Sequence, residues 1–234
     1  MYAKTLMIAS AFVMFLLGAG VLTVFSSGIP GFFMVISLLL QAGFGFTPLE
    51  SGLTNTPFSV GVLVVSLIAG RFGQSYLRTR AALSAVLLTT GMVWLHLIIS
   101  GITDSIDHWS FLPPLFIAGI GLGLGFSSLF QLVLATVPPR DAGAGAGSLQ
   151  AVQQVGGAVG VALIGQIFFS ILEGARDWGA TSIHEAFTVS AATATWYQIG
   201  SFGLVFLLVF LIRGRGQGSE GGARAPAAPV LAEA

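Results

Sequence analysis

Long apolar runs without charge are the feature that most constrains what this chain can fold into. A helix crosses a hydrocarbon core about 30 Å thick with about 20 apolar residues, and the chain contains several such runs. The runs do not alternate with polar residues, which favours helical spans over barrel strands. We therefore predict an all-α integral membrane protein whose six-helix transmembrane bundle covers residues 1–213, with spans near 8–47, 52–70, 81–100, 112–137, 145–172 and 192–212.

Composition and motifs exclude several kinds of chemistry. Charged residues make up 8% of the 234 positions and hydrophobic residues 55%, unlike the mixture found in soluble domains. Cysteine is absent, so a disulfide, a thiolate metal site and a cysteine nucleophile are excluded. The sequence shows no Ser-His-Asp set, and its "GAGAG" and "GLGLG" motifs lack the Lys-Ser/Thr pair of a phosphate loop. We expect no enzyme activity, no metal, no other cofactor and no nucleic-acid partner.

The first apolar segment, 8–47, is too long for one ordinary span. The motif "SSGIPG" at 26–31 could be a turn between two spans, but this would place Lys4 outside the cell. One long helix, kinked at Pro30 and starting along the cytosolic interface, keeps Lys4 inside. A cleaved signal peptide is a third alternative, although the apolar run continues far past any cleavage point. The single long helix is the prediction that we follow.

Basic residues indicate the orientation, because Lys and Arg near span ends are retained in the cytosol. We predict both termini to be cytosolic, the tail 214–234 to be disordered and the membrane to be a bacterial plasma membrane. Acidic residues, together with all four tryptophans, collect near the opposite boundary. Only Arg176 falls on that outer side. The predicted cytosolic loop residues are Gly70, Arg71, Arg78, Arg80, Arg140 and Asp141, with Asp141 able to cap the following helix.

Small residues recur at every fourth position in two spans. Such spacing lets helix backbones approach closely inside a membrane. The glycines could serve only for packing, or they could form a sliding contact between moving helices, and the residues leave both alternatives open. The predicted packing glycines are Gly119, Gly123, Gly143, Gly147, Gly156 and Gly160.

Amides inside the spans are the candidate functional residues, since an unpaired amide is costly in lipid and should face protein or water. Gln150, Gln153 and Gln154 are the first tier. Gln166 and Gln198 are more typical of hydrogen bonds between helices, and His96 of a packed or interfacial residue. A carrier driven by protons needs a titratable group inside the membrane. No carboxylate lies at the centre of a span, so an acid that couples transport to protons is either Glu50 or absent from the chain. The candidate substrate-path residues are Gln41, Asn55, Gln131, Gln150, Gln153, Gln154 and Gly157.

The helix of 145–172 is predicted to have three zones. At about 100° per residue, Gln150, Gln154, Gly157 and Val161 share one face with Gln153, and Gly143 and Gly147 continue this face toward the cytosol. Val152, Val155, Val159 and Leu163 share the opposite face, which suits lipid. Small shoulders lie between the two faces, with Gly156 and Gly160 on one side and Ala151, Ala158 and Gly165 on the other.

Two blocks of sequence carry a resemblance to a known family. They are "GFFMVISLLLQAGFGFTPLESGLTNTPFSVGVLVVSLIAGRFG" (31–73) and "GIGLGLGFSSLFQLVLATVPPRDAGAGAGSLQAVQQVGGAVGVALIGQIFF" (119–169). Their order and spacing resemble the C-terminal half of a Major Facilitator Superfamily carrier, and most closely the branch of fourteen-span drug:proton antiporters. The resemblance covers roughly 12–213. The matching positions are Gln41, Gly52, Pro57, Gly70, Arg71, Gly143, Gly147, Gln154, Gly156, Gly157 and Gly160.

The resemblance implies a half-carrier that exports amphipathic small molecules or drugs by proton antiport. Many relatives have an arginine where Gln153 stands, and the loop "GRFGQSYLRTR" lacks an acidic residue that some relatives carry. The family's pseudo-symmetric architecture places a second bundle opposite the first. We expect that bundle to come from an N-terminal half-carrier or from self-association. The alternative is a non-transporting remnant or an accessory membrane subunit, and the other expected partners are the lipid bilayer and a small-molecule substrate.

Overall fold

The computed structural model describes residues 2–69, 76–102, 106–177, 179–180 and 182–213. It contains six helices long and apolar enough to cross a membrane, which confirms the predicted all-α fold class. The helices are α1 (Tyr2–Leu38, extended by the π-helical turn Leu39–Gly43), α2 (Pro48–Ala69), α3 (Leu77–Ser100), α4 (His108–Leu134), α5 (Ala142–Glu173) and α6 (Ile183–Arg213).

The first segment is a single helix. α1 runs through Pro30 without interruption, and its apolar span covers Phe12–Gly43. Of the alternatives left open by the sequence, two separate spans in this segment do not fit the structure. A proline costs a helix one hydrogen bond, and the close contacts of α1 with its neighbours, described below, hold the helix together around this position.

Several helix bounds differ from the predicted spans because helices begin at polar caps, whereas the prediction counted apolar residues. α4 begins at His108 and not at 112, since the Asp107 carboxylate accepts a hydrogen bond from the Trp109 backbone N–H at 3.1 Å. α6 begins at Ile183 and not at 192, with Ser182 accepting from the Glu185 N–H at 3.2 Å. α4 ends at Leu134 and not at 137, ahead of the Pro138–Pro139 pair, which disfavours helix before it.

α1 lies at the centre of the bundle. It packs against α5 and α6 and touches α4, and its Phe32 and Phe33 rings meet the ring of Phe58 on α2. α4 packs between α2 and α3, and α3 packs on α6. The core contains large, fully buried side chains that include Phe25, Leu88, Met92, Leu95, Phe111, Phe168 and Phe202.

Glycine determines how closely the outer helices approach their neighbours. A Cβ on Gly119 of α4 would overlap the backbone carbonyl oxygen of Phe58 on α2, and one on Gly123 would lie 3.0 Å from Cβ of Val65. α2 and α4 therefore meet almost backbone to backbone, which is the close contact expected of small residues in membrane helices.

Candidate functional site: the open face between α2 and α5

Two side-chain contacts border a face of the bundle across which none of the described helices packs. On α1, Pro30 lies against Gly157 of α5, while Phe33 lies one turn further along and meets Phe58 of α2 at 5.0 Å between ring centroids. The side of α1 between these two residues therefore runs from α5 to α2. We call this surface, bounded by α2 and α5, the open face.

α5 is fixed on α1 through two glycines. A Cβ on Gly156 would lie 2.7 Å from the backbone oxygen of Thr23, and one on Gly160 would overlap the backbone oxygen of Ser27. Because the obstacles are backbone atoms, they cannot move aside as a side chain can. The rotation of α5 about its axis is therefore set by these contacts.

This rotation places the glutamines of α5 at the edge of the open face. Gln150, Gln154 and Val161 share a helical face with Gly157, which contacts the exposed Pro30. Gln150 and Gln154 are exposed, and Gln153 is half-buried. The polar edge of α5 thus borders the side of α1 that no other described helix covers.

The predicted zones of α5 need correction. Ala151 and Ala158, expected to pack as a shoulder, are exposed. Val152, expected to face lipid with Val155 and Val159, is half-buried against the core. The buried strip is centred on Gly156 and Gly160, because α1 and α6 both lie on that side. A helical wheel drawn at 100° per residue gives the relative positions of residues on α5. It does not show which side of α5 the neighbouring helices cover.

Gly143 and Gly147 also depart from the predicted packing role. Both are exposed, and a Cβ at either position would meet nothing within 4 Å in the described part of the chain. Their side of α5 continues the glutamine edge toward Asp141. Small residues are therefore present on α5 at positions where none of the described helices requires them.

α2 contributes a polar edge opposite α5. Asn55 precedes Phe58 by one turn and is half-buried, and its Nδ2 donates to the Ser51 carbonyl at 3.0 Å. The neighbouring Ser59 is exposed. Further along α2, Leu63 and Leu67 are 57% and 72% exposed. The polar residues of α2 therefore lie in its first half and exposed leucines in its second half.

The floor of the open face is aromatic. Phe126 of α4 meets Phe25 of α1 edge to face at 5.2 Å, and Phe130 follows one turn later on the same side of α4. Phe33, Phe126 and Phe130 are half-buried. Aromatic rings between two amide-bearing edges suit a molecule with an apolar ring system and a few polar groups.

Two of the predicted path residues lie elsewhere. Gln131 follows Ser127 by one turn on α4, and Ser127 accepts a hydrogen bond from Arg80 of α3 at 3.3 Å. That side of α4 faces α3, away from α1. Gln41 is exposed within the π-helical turn at the end of α1, where His184 lies 2.7 Å from the Gly43 carbonyl and stacks on Phe44. Gln41 and Gln131 therefore do not border the open face with the α5 glutamines, and Asn55 lies at a different level along the bundle from them.

The predicted cytosolic residues cluster at one end of the bundle. Arg140 and Asp141 form an exposed salt bridge of 3.2 Å. The Asp141 side chain makes no capping hydrogen bond to α5, contrary to the capping role expected for it, since its carboxylate is turned toward Arg140. Arg80 is buried, with an exposed fraction of 8%. Gly70, Arg71 and the tail 214–234 lie outside the described residues.

Titratable groups of the spans have structural partners. The Glu50 carboxylate accepts from the Thr47 N–H at 2.8 Å and from the Thr47 hydroxyl at 2.9 Å, and the Thr47 hydroxyl in turn lies 3.3 Å from the Glu50 N–H. This reciprocal pair is a capping box, which the T-x-x-E spacing could have revealed. His96 lies between α3 and α6, with Nδ1 3.0 Å from the Ala192 carbonyl. Among the described residues, no cluster of His, Asp or Glu could hold a metal ion.

A second concavity, missed in the sequence, opens on the far side of α2. It measures about 790 Å³ between α2 and the start of α4. At its edge the Thr54 hydroxyl lies 2.8 Å from the Glu50 carbonyl oxygen and 3.0 Å from Nδ1 of His108. Leu53, Val60 and Phe116 also line this groove, which does not meet the glutamine edge of α5.

Comparisons with known proteins agree with this architecture. A sequence profile of the Major Facilitator Superfamily matches residues 3–161. The probable actinorhodin transporter of Streptomyces coelicolor is 33% identical over 76% of this chain and 32% of its own length. The quinolone resistance protein NorB of Staphylococcus aureus is 26% identical over 80% of this chain and 38% of its own length.

A third relative, the puromycin resistance protein pur8 of Streptomyces alboniger, is 29% identical over 60% of this chain and 28% of its own length. The chain thus spans about a third of the length of these relatives. The matched profile covers more than half of the chain, and it does so over helices that pack as one transmembrane bundle. This chain belongs to the Major Facilitator Superfamily.

Proposed function

We propose that this chain is one bundle of an efflux carrier for amphipathic small molecules, and that the open face is one wall of the substrate path. The observation that carries the proposal is that the exposed amides Gln150 and Gln154 of α5 border the open face beside half-buried phenylalanines, with Asn55 of α2 at a different level along the bundle. Relatives named for an antibiotic pigment and for drug resistance support the class of substrate. Neutral amides would offer hydrogen bonds, and the rings would offer apolar contact.

A second bundle would complete the path. Alternating access in carriers of this architecture moves one bundle against another around a central site. The exposed small residues Gly143, Gly147, Ala151 and Ala158 on α5 offer a close-packing surface for that bundle. The second bundle could be encoded in further sequence of the same protein or come from another chain.

We propose proton antiport as the driving mechanism, with the coupling acid on the second bundle. In the described part of the open face we find no carboxylate, and Glu50 serves in the capping box of α2. A titratable group inside the membrane is what proton coupling requires. Dye efflux from inverted vesicles that follows an imposed pH gradient would support this assignment, and efflux that persists without any gradient would contradict it.

The sharpest test of the path compares two adjacent residues of α5. Gln154 borders the open face, whereas Val155, 62% exposed, lies 100° further around the helix, toward the lipid side. In the assembled carrier, Gln154→Leu should raise the dye concentration for half-maximal efflux about 2- to 10-fold, because one neutral hydrogen bond is lost. Val155→Leu is the matched control and should change efflux little.

Both variants are to be quantified in the membrane, so that lower abundance is not mistaken for lower activity. Unchanged efflux in Gln154→Leu together with abolished efflux in Val155→Leu would place the path on the other side of α5. The accessory-subunit alternative makes a different prediction. In that case both substitutions would be silent, and Ala158→Leu would abolish association with the second bundle.

We also propose a bacterial plasma-membrane location with both termini cytosolic. Support comes from the basic residues Arg78, Arg80 and Arg140, which gather at the end of the bundle opposite Asp107 and Glu185. Retention of basic residues in the cytosol gives the orientation.

A further inference from the structure

Gln198 on α6 is fully buried, with an exposed fraction of 0%. Neither its amide nitrogen nor its amide oxygen has a hydrogen-bond partner within the described part of the chain. An unpaired amide in an apolar interior raises the free energy of the conformation that contains it. The sequence predicted a hydrogen bond between helices at this position, and the described conformation does not provide one.

The neighbours of Gln198 show where its side chain lies. One turn earlier, Thr195 lies 3.2 Å from His96 on α3. One turn later, Ser201 and Phe202 pack against Gly28 of α1. A Cβ added to Gly28 would lie 2.8 Å from the Ser201 hydroxyl oxygen and 2.7 Å from the Phe202 ring. Gln198 shares its side of α6 with these residues. It therefore points to the junction of α6 with α1 and α3.

A second unpaired group lies on the facing helix. Thr89 precedes His96 by seven residues on α3, which is nearly two full turns, so both residues face α6. The hydroxyl of Thr89 is buried and also has no partner in the described part of the chain. α3 and α6 are antiparallel, since the end of α3 meets the start of α6 at His96 and Thr195. His96 is level with Ala192 and Thr195 of α6. Because the helices are antiparallel, Thr89, seven residues before His96, is level with the residues seven positions after these two, at 199–202. Gln198 immediately precedes this stretch.

α6 has a flexible point at the same level. A Cβ on Gly200 or Gly203 would meet nothing within 4 Å, so helix packing requires glycine at neither position. Glycine inside a helix lowers its stability relative to alanine and permits bending. These two glycines lie within about one and a half turns after Gln198.

We propose that α6 bends at Gly200–Gly203 in a second conformation of the bundle, and that Gln198 and Thr89 then form a hydrogen bond with each other. The described conformation leaves both groups unpaired, whereas the bent one pairs them. The difference in free energy between the two conformations is thereby reduced, which keeps the second one accessible. Only one consequence rests on the proposed carrier function, namely that efflux slows when the hydrogen-bonded pair is removed.

The test uses the full chain in detergent and the substitution Gln198→Met, which keeps side-chain length and volume but removes the amide. The melting temperature should rise by about 2–6 °C, because an unpaired buried polar group is replaced by an apolar one. Hydrogen–deuterium exchange across 196–206 should slow, because the bent conformation loses its hydrogen bond. Gln166→Met on the exposed side of α5 is the control and should change neither quantity.

Thr89→Val should act in the same direction, and the double variant should slow exchange no more than Gln198→Met alone, since both substitutions remove one shared hydrogen bond. Gly200→Ala should also slow exchange while leaving both polar groups in place. A lower melting temperature in Gln198→Met would show that the amide is already satisfied in the folded chain, and it would overturn the proposal. Additive effects of Thr89→Val and Gln198→Met on exchange would overturn it as well.

Efflux gives an independent arm. In the assembled carrier, Gln198→Met and Gly200→Ala should slow efflux by several-fold without reducing membrane abundance. Unchanged efflux in both, with clear efflux by the wild type, would show that the bend has no role in transport and would contradict the proposal. Absence of efflux in the wild type would instead count against the proposed function, while the exchange and melting measurements would still decide the hydrogen bond.

Discussion

Replacing Gly160 by alanine tests the packing argument most directly. The added methyl group would overlap the backbone carbonyl oxygen of Ser27 on α1. Overpacking a close contact costs about 1–3 kcal/mol, and the upper part of this range applies because a backbone atom cannot rotate away. Replacing a glycine by alanine in a helix interior stabilises the helix by about 0.5–1 kcal/mol. The expected net loss of stability is about 2 kcal/mol.

Gly147→Ala is the matched control on the same helix. Its added methyl group would meet nothing within 4 Å in the described part of the chain, so only the gain in helix stability of about 0.5–1 kcal/mol remains. For a chain of this size, 1 kcal/mol shifts the melting temperature by about 2–4 °C. Gly160→Ala should therefore melt about 4–8 °C lower than the wild type, and Gly147→Ala about 1–4 °C higher.

Thermal unfolding of the purified chain, followed by tryptophan fluorescence in detergent, measures both shifts. The chain must be studied without its proposed second bundle, because Gly147 lies on the surface assigned to that bundle. Equal melting temperatures for the two variants, or a Gly160→Ala variant as stable as the wild type, would refute the close contact of α5 with α1.

Two further predictions concern orientation and coupling. The chain lacks cysteine, so single cysteines can be introduced as labels. Cysteines at positions 78 and 140 should be protected from an impermeant thiol reagent in intact cells, while those at positions 107 and 185 should be labelled. Labelling of position 140 from outside would reverse the predicted topology. Glu50→Gln should preserve the pH dependence of efflux and the stability of α2, since glutamine also completes a capping box; efflux that no longer responds to a pH gradient would identify Glu50 as the coupling acid.

The sequence was sufficient for the membrane class and the six-helix fold, because the length and continuity of apolar runs are set by the thickness of a bilayer. It also identified the family through "QAVQQVGGAVG" and its companion block. Helix ends were less accurate, as at Ile183 of α6. Caps such as Ser182 are polar and local, so a count of apolar residues does not include them.

Rotation of the helices and the pairing of polar groups were decided by the tertiary structure alone. The sequence placed Gln150 and Gln154 on one face of α5, but only the backbone contacts of Gly156 and Gly160 with α1 show that this face borders the open side of the bundle. Gln131 has the same chemistry, yet it lies toward α3 beside Ser127. Hydropathy averages over both sides of a helix, whereas the side that is buried depends on which neighbours approach closely enough to cover it.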